Sequence, residues 1–383
     1  MRSYPQKRKM AKILHAIAAL IGTIIGAGIF GIPYVVMKSG FLVGIIHIVV
    51  IGILMAITML YLGEIALRTK KTYHLTGYAD KYLGRKGKVL MLIALAFGIY
   101  AAVLAYLIGV GESFSFLLFS TKDYSLYLGI GFWVLMSLLS LFGLKALEEG
   151  EFLGVSALLI LIVAISVFFF NKIDVNNLLL ASSGSFIDYL APFGVILFAF
   201  LGYTTIPEVE TILGKEKKGM KKAIILAILI SGIVYLIFTT IVIGFKGSGT
   251  PEIATLALGK PFILLGILTM STSYLALSIA LIDMFKFDFN QSKARGWFFT
   301  ISVPIIFFIL LELVNYANFT KVLGIGGVLS GGLAAVLILL MAHKAKYLGD
   351  KKPEYSMPVS KLLTGILILL FVIGTIAEIV NSI

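Results

Sequence analysis

Gly22-Thr23-Ile24-Ile25-Gly26-Ala27-Gly28-Ile29-Phe30-Gly31-Ile32-Pro33 sits in the middle of an apolar run from about Ile13 to Met37. A helix needs about 20 apolar residues to cross a bilayer, and this run is long enough. Yet the stretch holds four glycines and a proline, residues a spanning helix excludes unless the break has a use. In lipid, backbone freed from its helix survives only inside protein or beside a watery cavity. One reading is therefore a broken helix whose free amides and carbonyls hold a small zwitterion and an ion at mid-depth. The other is a packing face, because Gly22 and Gly26 form one small-xxx-small step and Gly31 follows five residues later. The rest of the chain decides between them.

Of 383 residues, 60% are hydrophobic and 13% charged, and the mean hydropathy is +1.04. That balance places the chain among all-α polytopic membrane proteins and outside the soluble globular classes. The absence of cysteine excludes a disulfide framework, a thiolate metal site and a cysteine nucleophile. The basic N-terminus, Met1 to Lys12, precedes the first apolar run without a small-residue cleavage site, so it reads as a retained first helix.

Eleven apolar segments reach spanning length: 12–37, 41–67, 89–118, 125–143, 151–170, 186–213, 222–244, 261–285, 297–313, 319–343 and 359–381. With the N-terminus inside, 26 of the 32 Lys and Arg residues fall in inner segments. The outer six are Lys38, Lys122, Lys172, Lys246, Lys260 and Lys321. The net charge of +13 is thus a topology signal, and nucleic acid is excluded as a partner. The expected location is the plasma membrane, with a cytoplasmic N-terminus, an external C-terminus and no obligatory protein partner.

Between the spans, Lys38-Ser39-Gly40 makes a tight outer turn. The basic link from Arg68 to Lys88, with Tyr73, Tyr78, Tyr82 and Leu83, suits an interfacial helix on the inner leaflet. His47 either relays protons or bonds a neighbouring carbonyl, and Glu64 is placed to pair with Arg68 one turn on. Glu148-Glu149-Gly150-Glu151 forms the acidic inner loop, and the fifth span, Phe152 to Phe170, carries no charge. The apolar stretch Ile253–Leu258 predicts a re-entrant or capping element on the outer side. Span 10 is rich in glycine, which suits close packing or a moving gate.

The sixth span supplies the second decisive stretch, Phe198-Ala199-Phe200-Leu201-Gly202-Tyr203-Thr204-Thr205-Ile206-Pro207-Glu208-Val209-Glu210. A glycine again interrupts the helix near mid-depth, and an Ile-Pro pair closes the break as at Ile32-Pro33. Two broken helices at matching places in two halves are the best sequence pointer to a transporter site. Breaks in spans 1 and 6 make each half five helices, an odd number, so the second half inserts upside down. The expected architecture is an inverted 5+5 repeat, residues 12–170 and 186–343, with 359–381 as an eleventh helix, all in a single transmembrane domain.

The motif Gly26-Ala27-Gly28-Ile29-Phe30-Gly31-Ile32-Pro33 in the first of eleven spans resembles the amino acid–polyamine–organocation transporters. It looks most like their amino acid/auxin permease and aromatic amino acid permease branch, whose members share the fold of the bacterial leucine transporter. The resemblance implies alternating-access import of an amino acid with Na⁺ or protons. By position, it gives the amides of Ala27 and Gly28 to the substrate carboxylate and the carbonyls of Ile24 and Leu201 to its ammonium. It also makes Phe198 an aromatic gate, and it sets Gly202 and Tyr203 along the side-chain pocket. No acid stands at either break, so a neutral, apolar or aromatic amino acid is expected ahead of arginine or polyamines.

The same resemblance implies a Na⁺ site on the carbonyls of Gly22 and Ile25 with Thr269, Thr272 and Ser273 of span 8. Those three span 8 residues share a helical face, and oxygen ligands suit a hard cation. Against it, Ser and Thr in spanning helices often bond back to the i−4 carbonyl. A second sodium site is not expected, because Ile29 replaces the asparagine it needs. The chain is expected to be no enzyme and to hold no organic cofactor. A proton-coupled permease or an exchanger using the same site is the alternative.

Overall fold

The computed structural model describes residues 3–142, 162–179 and 188–382. The acidic loop Glu148–Glu151 and the first ten residues of the fifth expected span, 152–161, lie outside them. The regular structure of the described residues is all helical. It contains α1 (Ser3–Ile24), α2 (Ile32–Ser39), α3 (Phe41–Arg68), α4 (Leu75–Phe119), α5 (Ser125–Phe142), α6 (Ile162–Lys172), α7 (Val175–Leu178), α8 (Pro192–Ala199), α9 (Ile206–Leu213), α10 (Met220–Lys246), α11 (Lys260–Phe287), α12 (Lys293–Leu313), α13 (Phe319–Gly326), α14 (Leu333–Leu348) and α15 (Lys361–Ser382).

Among the described residues, eight helical stretches are long and apolar enough to cross a membrane. One further pair is bent by 47° at a short break, and two apolar helices are shorter. Each overlaps one of the expected spans, the fourth and fifth being represented by the two shorter helices, Ser125–Leu141 and Ile162–Lys172. The chain is a polytopic all-α membrane protein. Its helices are apolar nearly all round, as lipid requires of the outer face and packing requires of the inner one. Leu42, Ile53 and Leu268 are more than half exposed on that outer belt.

Side-chain contacts sort the helix ends into two faces. On the basic face, buried Glu64 takes Arg68 Nε at 2.7 Å, Lys346 Nζ at 2.5 Å and the Met357 amide at 2.7 Å. Lys217 pairs with Glu210, Lys81 with Asp350, and Lys9 with Glu216 at 3.6 Å. The amide of Lys70 and the Lys81 ammonium hold the Asp350 carboxyl below its usual range. These bonds fasten the link 349–358 across the ends of α3, α4 and α9. On the far face, Lys122 meets Glu112 at 2.5 Å and Asn318 donates to Glu252 at 2.7 Å.

The basic link is helical from Leu75, as the first part of α4, up to a kink at Gly84 (φ 76°, ψ −173°), a conformation that favours glycine. Its tyrosines face protein rather than lipid. Tyr78 and Tyr82 are buried, with hydroxyls on Glu210 and Thr69, because a buried phenol needs a partner. His47 Nδ1 lies 2.9 Å from the Val43 carbonyl, one turn back on its own helix. The stretch 253–258 forms a buried 3₁₀ turn, Ala254–Ala257, which packs over the segment linking α1 to α2. In span 10 the glycines open a π-helical turn, Gly327–Gly332, between α13 and α14. There a Cβ on Gly327 would meet the Gly194 carbonyl of α8 at 2.2 Å. Close packing against α8 is what these glycines supply.

Candidate functional site

Both decisive stretches are broken, and by the same local grammar. After α1 the chain leaves the helix at Gly26 (φ −102°, ψ −160°), makes a 3₁₀ turn Ala27–Gly31 and enters α2 with Pro33 in its first turn. After α8 it leaves at Phe200 to Gly202, makes a 3₁₀ turn Tyr203–Thr205 and enters α9 with Pro207 in its first turn. Proline is tolerated there because first-turn amides have no helical acceptor in any case. The amide of Ile29 reaches the Gly26 carbonyl at 3.3 Å. Among the described residues, the amides of Ala27 and Gly28 make no comparable backbone bond.

The two breaks cross. A Cβ on Gly28 would lie 3.1 Å from both Ala199 Cα and Phe198 Cδ1, and one on Gly202 would lie 2.5 Å from Ile24 Cγ1. Two polar ties join them. The hydroxyls of Thr23 and Thr205 stand 2.6 Å apart. The buried hydroxyl of Tyr235 on α10 lies 2.7 Å from the Ile24 carbonyl and 2.6 Å from that of Ala199.

Around the crossing is a cavity of about 470 Å³, within the range that takes a small ligand. Its walls come from both breaks, from α4 at Gly98, Ala102 and Tyr106, from α11 at Leu277 and Ala280, and from Ser330. A second cavity of about 610 Å³ opens on the basic face beside Glu208. The two share His74, Thr76, Thr204 and Asp288, so the cavity at the crossing adjoins the one on the basic face. The lining is largely apolar, with the hydroxyl residues Thr23, Tyr106, Tyr203 and Ser330, and it includes the carboxylates of Asp283 and Asp288, the second shared with the cavity on the basic face.

Of the expected substrate residues, Ile24, Gly28, Phe198, Leu201 and Tyr203 line the cavity. Ala27 and Gly202 lie just behind the wall, both buried. The Ile24 carbonyl already accepts from the Gly26 amide at 3.0 Å and from Tyr235. Of the expected ion ligands Gly22, Ile25, Thr269, Thr272 and Ser273, none lines it. Thr269 Oγ1 donates to Leu265 O at 2.9 Å, and exposed Thr272 donates to Leu268 O at 3.2 Å and Thr269 O at 3.0 Å. Ser273 pairs with Tyr106. Tyr235, Thr23, Thr205, Tyr106, Ser330 and Asp283 went unread in the sequence. Thr23 and Thr205 stood inside the two broken stretches and Ser330 in the glycine-rich span 10, but nothing in those patterns singled them out.

Residues 9–249 match the tryptophan/tyrosine permease family. The chain belongs to that family. The match takes in both breaks and Tyr235. The chain is also similar to vacuolar amino acid transporter 2 of Saccharomyces cerevisiae, 25% identical over 170 residues. That similarity covers 41% of this chain and 35% of the yeast protein, so the chain spans about a third of the length of this curated relative.

Proposed function

We propose that this chain is a secondary transporter that imports a neutral, apolar or aromatic amino acid by alternating access. One observation carries the reading: two broken spans cross at a largely apolar cavity with freed backbone polar groups at its wall, and the carboxylates in that wall, Asp283 and Asp288, come from the C-terminal end of α11 and not from either break. The amides of Ala27 and Gly28 suit a carboxylate, since a helix N-terminal end favours an anion. The carbonyls freed at Ile24 and Leu201 suit an ammonium, and the apolar wall at Leu95, Ala102 and Leu277 suits an apolar side chain. Family membership and the yeast relative's name support amino acids as substrate. In this reading the basic face is cytoplasmic by the positive-inside rule, the membrane is the plasma membrane, and the cavity is open toward release. Residues 12–170 and 186–343 are the two inverted repeats.

Na⁺ is the coupling ion in this reading, held by the carbonyls of Gly22 and Ile25 with Thr269, Thr272 and Ser273. A hydroxyl that donates to a carbonyl keeps its lone pairs for a cation, so the bonds of Thr269 do not oppose it. A specific observation favours the second reading, proton coupling or exchange through the same cavity. Thr272 is exposed on the stripe of α11 that also carries Leu268, which is 60% exposed.

The deciding experiment is binding of a panel of neutral amino acids to purified protein in sodium or choline at constant ionic strength. Sodium-dependent binding of one or a few is expected, and it should vanish in Thr272→Ala with Ser273→Ala. Equal binding in choline moves the coupling to a proton or to none. No binding of any amino acid overturns the transport reading.

A further inference from the structure

Tyr235 lies on α10, outside both breaks, and is fully buried. Its hydroxyl is 2.7 Å from Ile24 O and 2.6 Å from Ala199 O. A phenol has one proton to donate, and here it faces two acceptors. Both carbonyls belong to residues of the cavity wall, and both were freed when their helices broke. The Gly26 amide takes one lone pair of Ile24 O at 3.0 Å; Tyr235 serves the other lone pair and the Ala199 carbonyl, and taking a donor from a carbonyl in a dry interior is costly.

We infer that Tyr235 is a built-in donor that stands in for the substrate ammonium and so permits the unloaded protein to close and return. The inference rests on the amino acid transport reading. An ammonium brings three donors to the crossing and relieves the hydroxyl of serving both carbonyls. After release, the hydroxyl serves them again without water. Net transport requires that unloaded return, whereas exchange uses loaded transitions alone. Tyr235 is thus a positioning residue whose hydroxyl sets the balance between net flux and exchange. Packing is a separate matter: the Phe200 ring meets the Tyr235 ring edge-on at 5.0 Å, a contact Tyr235→Phe retains.

The test compares wild type and Tyr235→Phe in liposomes, measuring counterflow exchange and net efflux of the panel amino acid that wild type exchanges fastest. Exchange should stay within about twofold of wild type. Net efflux should fall about tenfold, the change that corresponds to about 1.4 kcal/mol on the unloaded step. Phe200→Leu, which keeps the hydroxyl and alters the packing, should keep the wild-type ratio of the two rates. A Tyr235→Phe protein that loses both modes together, or neither, overturns the inference. So does a Phe200→Leu protein with the same lowered ratio. Absence of exchange in wild type refutes the transport reading and this inference with it; exchange in wild type with equal losses in the variant refutes this inference alone.

Discussion

Gly28 and Gly26 stand two residues apart in the first break, and the geometry assigns them opposite tolerances. An added Cβ at Gly28 meets Ala199 Cα and Phe198 Cδ1 at 3.1 Å. The first is backbone and the second belongs to the residue placed as the gate. At Gly26 the added Cβ meets nothing within 4 Å, and φ −102° with ψ −160° is extended backbone open to any residue. Overpacking a filled site costs about 1–3 kcal/mol. In Gly28→Ala that strain falls on the contact between the two breaks, where the proposed ligand groups are set. Amino acid affinity is therefore expected to fall by about 5- to 150-fold, the range that corresponds to that energy. Gly26→Ala should keep the melting temperature of wild type, since the methyl group enters open space. The assay is equilibrium binding of the best panel amino acid, with thermal melting of each purified variant as the control for folding. A Gly28→Ala protein that binds within twofold of wild type would remove the break from the site. A Gly26→Ala protein that melts markedly lower would return the stretch to the small-residue packing reading.

Two further outcomes concern the faces of the bundle. Glu64→Gln removes the charge that Arg68 and Lys346 share on the basic face, and should destabilise by about 3 kcal/mol, the low end for a broken buried pair because both cations reach water. A double-mutant cycle with Lys346→Met should show coupling above about 1 kcal/mol, and additive losses would refute the pairing. On the far face, burial and then the neighbouring Glu112 carboxylate raise Glu252 above its ordinary 4.5. The folded state thus prefers the protonated acid, so this group's contribution is fully present below 4.5 and is lost as pH rises toward the folded value. Glu252→Gln should flatten that part of the melting-temperature profile; an unchanged slope means that another group titrates.

The spans and both breaks were legible because lipid leaves the backbone few options. An apolar run must be helix, and glycine with proline in its middle must be a break beside protein or a cavity. The ion pair of Glu64 with Arg68 was legible because both residues stand on one turn of one helix. The ties at the crossing were not. Tyr235 is 211 residues from Ile24, and Thr23 is 182 from Thr205, and no local pattern in either segment marks its partner.

Span 8 shows how correct spacing still leaves orientation open. Residues 269, 272 and 273 do share part of a face, but α11 is apolar all round and its hydrophobic pattern names no inner side. Packing chooses that side. Met270 and Tyr274, one turn apart, are both fully buried. The Met270 sulfur lies against α4, where a Cβ on Gly109 would meet it at 2.7 Å. The Tyr274 ring meets Phe132 of α5 at 5.4 Å. A residue halfway between two that point inward is carried about half a turn around the helix. That places Thr272 on the outer stripe with Leu268, as its exposure records. The two bulky side chains four apart set the rotation of α11, and the hydroxyls take the positions that rotation leaves them.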